Sequence, residues 1–73
     1  MKVKTDFTGN SIFSNNLLIK LSNELGKVSW QSEFDITITN LFDGIHYEIT
    51  NGDASFYDIN KIEDLVREIE KQQ

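Results

Sequence analysis

Six carboxylates, Glu33, Asp35, Asp43, Glu48, Asp53 and Asp58, fall between Val28 and Asn60, and that stretch contains no lysine and no arginine. Every cation lies outside it, at Lys2, Lys4, Lys20, Lys27, Lys61, Arg67 and Lys71. The formal charge is −6 within the stretch and +1 over the rest, which gives the −5 of the chain. Carboxylates without counter-charges serve as acids, bases or metal ligands, or they attract a cationic surface. The first role needs company. His46 is the only histidine, and there is no cysteine. A general base needs a nucleophile or an orienting carboxylate in reach. Glu48 and Tyr57 are the candidates beside His46, and on an open sheet they form no pocket. One histidine without thiols does not make a structural zinc site. Asp53 to Asp58 lacks ligands at calcium-loop offsets. The glycine-rich phosphate loops, the nucleophile elbow and the H-E-x-x-H pattern are all absent. The expectation is a non-enzymatic chain with no metal and no cofactor.

The second role remains. An acidic balance repels nucleic acid and anionic membranes and permits a basic protein as partner. Solubility alone also favours acidic surfaces, and a charge run is the ordinary way to solvate an open face. No apolar leader follows Met1, and the longest aliphatic run, Leu17-Leu18-Ile19, is far short of a membrane span. Absence of cysteine fits a cytoplasmic protein.

The elements that must position these groups follow from periodicity. Seventy-three residues make one domain, residues 1–73. Residues 2–7 read as a short strand with Val3, Thr5 and Phe7 on one face. Thr8-Gly9-Asn10-Ser11 is turn chemistry, and Ile12 and Phe13 are core candidates. Ser14 or Asn15 can cap a helix running to Leu25, with Leu17, Leu18, Leu21 and Leu25 on one side. Gly26 reads as its left-handed stop. Trp30 reads as a core or helix-contact aromatic. Phe34, Ile36 and Ile38 alternate with polar residues in a long strand, and Ser32 is a candidate bend or bulge. Asp43-Gly44 predicts a type I′ turn that pairs Phe42 with Ile45 and Ile38 with Ile49, with a longer loop over Asn40–Gly44 as the alternative. Asn51-Gly52 repeats that signal and predicts a third meander strand over Asp53–Tyr57. Asn60 then caps a second helix, with Glu63 as reciprocal partner and Ile62, Leu65, Val66 and Ile69 as the apolar stripe. Glu63–Arg67 and Glu68–Lys71 are the expected pairs on its surface.

The predicted class is α+β: a three- to four-stranded antiparallel sheet in the order β-α-β-β-β-α, with two helices packed on one face. Its other face would carry Glu33, Asp35, Thr37, Thr39 and Leu41, then His46, Glu48 and Thr50, then Ser55 and Tyr57. Glu33 and Asp35 would stand about 7 Å apart, similar to neighbouring phosphates of a nucleic-acid strand. Asp43, Asp53 and Asp58 would extend the charge along the rims, and Tyr57 would offer an aromatic anchor.

The α-β-β-β-α order read for residues 14–71 resembles the double-stranded RNA-binding domains. In that family, binding depends on a basic cluster at the start of the last helix. Here that segment is Asn60-Lys61-Ile62-Glu63-Asp64-Leu65, so the likeness is one of topology. In size, cysteine-free composition, mixed layout and clustered carboxylates the chain also resembles small acidic phage proteins that inhibit host nucleic-acid enzymes, anti-CRISPR proteins and other DNA mimics among them. That resemblance implies an inhibitor occupying the basic nucleic-acid channel of its target. Glu33, Asp35, Asp43, Glu48, Asp53, Tyr57 and Asp58 are the candidate contacts. The alternatives are a regulatory interaction module, such as an antitoxin or small subunit, and a domain binding double-stranded RNA.

Overall fold

The computed structural model describes residues 1–9 and 15–72. The fold is α+β, in the order β1 (Val3–Asp6), α1 (Asn15–Lys27), β2 (Phe34–Leu41), β3 (Gly44–Gly52) and α2 (Phe56–Glu70). The expected turn at Asn10-Ser11, the core roles of Ile12 and Phe13 and the capping role of Ser14 lie outside the described residues.

Both helices cover one face of the sheet. Leu18, Leu21 and Leu25 of α1 and Ile62, Val66 and Ile69 of α2 are buried with Phe34, Ile36, Ile38 and Ile45 in one core. These are the residues that helical spacing and strand alternation select, and burying them is the main favourable term in a domain this small. Leu17 and Leu65 pack half-buried at the margin. Trp30 is half-buried too, edge-on to Phe34 at 5.3 Å between ring centres, and its indole Nε1 donates to the Leu25 carbonyl at 3.0 Å.

The sheet is three-stranded and mixed, in the order β1-β2-β3, where a purely antiparallel meander was expected. β1 runs parallel to β2, with Val3 opposite Ile36 and Asp6 opposite Thr39. The cause is the crossover: a thirteen-residue helix of about 20 Å carries the chain back to the end where β1 began. β2 and β3 are antiparallel, joined through Phe42 and Asp43, one residue earlier than the Asp43-Gly44 turn expected. No described residue other than glycine has positive φ, so Phe42-Asp43 is not a type I′ pair; the unusual φ falls on Gly44, at 140°. Ile38 therefore opposes Tyr47, and Ile49 opposes Ile36. The pairing moves by two residues, and an even shift leaves every side chain on its expected face. The chain bends at Gln31-Ser32, as expected, and the bulge lies elsewhere: Asp35 pairs with Asn51 and Ile36 with Ile49, so Thr50 is the extra residue.

Two boundaries differ from expectation. Gly26 lies inside α1, which continues to Lys27, and has no positive φ. The third meander strand does not form. Ser55, not Asn60, caps α2: its Oγ accepts the Asp58 backbone N–H at 3.1 Å. Ser55-x-x-Asp58 and Asn60-x-x-Glu63 are the same type of start signal five residues apart, and the earlier one prevails. No helix among the described residues is long and apolar enough to cross a membrane.

Candidate acidic docking surface

Strand alternation places Asp35, Thr37, Thr39 and Leu41 of β2 and His46 and Glu48 of β3 on the face opposite the helices, as expected. What adjoins them is different. The third strand is absent, and the far side of the face belongs to β1, where Lys4 stands opposite Thr37 and Asp6 opposite Thr39. Lys2 and Lys4 line a shallow groove of about 280 Å³ with Asp35, Thr37 and Thr50. The open face is therefore not free of cations, because parallel pairing delivers the two N-terminal lysines onto it.

Asp35 is held where these groups meet. Its carboxylate accepts the Lys2 backbone N–H at 2.8 Å and the Asn51 side-chain amide at 3.2 Å. Those bonds, with smaller help from nearby positive charge, lower its pKa below the ordinary value. Beyond it, Glu33, Asp35, Asn51 and Gly52 line a second depression of about 330 Å³ with Met1 and Phe34.

Asp58 is not part of this surface. It is buried in the first turn of α2, only 1% exposed. Its oxygens accept the backbone N–H groups of Gln31 at 3.0 Å and Ser32 at 2.8 Å. Burial by itself pushes the carboxyl up, but those amides and the hydroxyls of Ser32 and Ser55 outweigh it and hold the pKa below the ordinary value. Asp58 ties the β2 approach to the helix start, a structural role that removes it from partner contact. Tyr57 is exposed, as expected, but in the first turn of α2 and not on a strand; Phe56 beside it is 82% exposed. The Ser55-x-x-Asp58 pattern is the signal that could have located this aromatic pair.

Asp43 lies at the hairpin tip, where it meets the His46 Nε2 at 2.7 Å, and that bond depresses its pKa. His46 is thus a half-exposed surface histidine beside a carboxylate. Among the described residues no group of histidines and carboxylates is arranged to hold a metal ion. On α2, Arg67 pairs with Asp64 instead of Glu63, while Lys71 meets Glu68 as expected. Glu63 turns to the sheet instead and accepts the Tyr47 hydroxyl at 3.2 Å. Burial and the neighbouring Glu63 charge raise the Tyr47 pKa. Glu70 likewise turns to β3 and accepts the Ile45 backbone N–H at 3.0 Å.

Three of the expected contact residues remain exposed without a cation or hydrogen-bond partner among the described residues: Glu33 ahead of β2, Glu48 in the middle of β3 and Asp53 just beyond it. Comparison with protein-family models, with curated proteins and with solved structures found no match to this chain.

Proposed function

We propose that this protein is a non-catalytic binding domain whose partner is a basic protein. The observation that carries the reading is the set of exposed, uncompensated carboxylates Glu33, Glu48 and Asp53, in a stretch without lysine or arginine. A surface of this kind draws a cationic partner by long-range attraction, and the gain is greatest in the encounter rate. Phe56 and Tyr57, just beyond Asp53, supply exposed aromatic area of the sort that anchors interfaces. The narrower reading, a phosphate mimic spread over the whole open face, has less behind it: Lys2 and Lys4 stand on that face, and Asp58 is buried. What supports occupation of a nucleic-acid channel is confined to the acidic margin at Glu33, Glu48 and Asp53.

The test is affinity capture at low and high salt with mass spectrometry, comparing the native chain with the triple variant Glu33→Lys, Glu48→Lys, Asp53→Lys. Basic proteins retained at low salt, released at high salt and lost with the triple variant are expected. Undiminished capture by the triple variant, with its fold intact by circular dichroism, would overturn the reading. Competition of the captured partner with duplex DNA or RNA then distinguishes a nucleic-acid channel from another basic surface.

A further inference from the structure

β3 is an edge strand of nine residues with no proline, lysine or arginine. Edge strands of stable proteins are ordinarily blunted by such residues, by shortness or by cover, because their outward amides and carbonyls template another strand. The opposite edge conforms: β1 has four residues and carries Lys4, with Lys2 just ahead of it. β3 is covered only in part. Its backbone alternates between bonding β2 and pointing away from it. The Ile45 N–H points away, because Glu70 rather than β2 accepts it. By the same alternation the N–H and C=O groups of Tyr47 and Ile49 also point outward, and no described residue bonds them. Thr50 then breaks the ladder. A window over Tyr47–Ile49 is left open between Glu70 at one end and the bulge at the other.

The side chains beside this window are acidic above and below the sheet. Glu48 rises on the open face, while Glu63 and Glu70 reach the strand from α2 on the helix face. Asp43 and Asp53 flank the two ends of β3. A residue added directly opposite one of β3 would place its Cβ about 5 Å away, close enough for a lysine or arginine to meet Glu48.

We propose that the free edge of β3 is a strand-addition site for an extended, lysine- or arginine-bearing segment of a partner protein. The proposal rests on the binding role given above and adds where and how the partner docks. Backbone pairing at Tyr47 and Ile49 supplies the hydrogen bonds, and the carboxylates select a basic strand. A second copy of this chain is disfavoured, because antiparallel pairing of β3 with itself over Tyr47–Ile49 sets Glu48 of one copy directly opposite Glu48 of the other.

The experiment uses two ten-residue, N-acetylated probes of equal charge, one alternating lysine with threonine and one alternating lysine with proline, and follows amide hydrogen exchange by NMR. The lysine–threonine peptide at saturation is expected to slow exchange at Tyr47 and Ile49 more than tenfold. Proline at every second position holds the lysine–proline peptide near the polyproline II helix, whose three-residue turn does not match the two-residue repeat of β3, so it is expected to leave those amides unchanged. Binding of both peptides without protection at Tyr47 and Ile49 would overturn the edge site while leaving the basic-partner reading standing. Binding of neither would overturn both. Protection of the same amides that grows with protein concentration in the absence of peptide would overturn the proposal in favour of a second copy.

Discussion

Gly52 is a position where one methyl group should do severe damage. It ends β3 with φ at +73°, the left-handed region that costs a residue with a Cβ roughly 1–2 kcal/mol. A Cβ there would also overlap the Glu33 carbonyl oxygen and lie 3.1 Å from the Phe34 Cα. Both are backbone atoms at the start of β2, so no rotamer change relieves the overlap; the strand itself must move, at about 1–3 kcal/mol. Together these give about 2–5 kcal/mol for Gly52→Ala, against a total of about 3–5 kcal/mol for a single core of this size. A loss of 2 kcal/mol lowers the melting temperature by at least about 8 °C in a chain this short. Gly26→Ala is the control. Nothing lies within 4 Å of a Cβ there and the backbone is helical, so this change should stabilise by about 0.5 kcal/mol. Thermal and urea melts, followed through Trp30 fluorescence, measure both. Gly52→Ala within about 0.5 kcal/mol of the native chain would show that β2 yields to the added methyl at little cost, and a destabilising Gly26→Ala would show that the end of α1 needs glycine.

Two further outcomes are expected. The folded pKa of Asp58 is depressed, so the stability it contributes is complete above its ordinary value of 3.8 and is lost as pH falls through the lower folded value. Asp58→Asn should therefore lower the urea midpoint at neutral pH and shrink the further loss between about pH 5 and pH 2; an acid limb as steep as the native one would show that the carboxylate is not what ties residues 31–32 to α2. Trp30→Phe keeps an aromatic ring against Phe34 but leaves the Leu25 carbonyl in the last turn of α1 without its donor. It should cost about 0.5–1.5 kcal/mol, read by circular dichroism on heating, and an unchanged melt would assign Trp30 a packing role only.

The chain by itself determined its two helical stripes, the in-and-out order of β2 and the separation of charge along its length. These are local or compositional properties. Leu18, Leu21 and Leu25 share a helix side whatever they pack on, and Phe34, Ile36 and Ile38 share a strand face whatever they pair with. The faces of β3 also survived a wrong turn position, because the pairing slipped by an even number of residues. Tertiary structure decided the rest. Ser55 and Asn60 carry equivalent helix-start signals, and what separates them is the pair of amides at Gln31 and Ser32 that meet Asp58 from 26 and 27 positions away. That contact buries one expected binding carboxylate and removes the third meander strand. It also turns Phe56 and Tyr57 outward in the first turn of a helix. The parallel seat of β1, which brings Lys2 and Lys4 beside Asp35, depends on which strand edge the α1 crossover reaches. A one-dimensional pattern records which side a residue faces, but not which distant neighbour stands there, since that is settled only when remote segments satisfy each other's backbone groups.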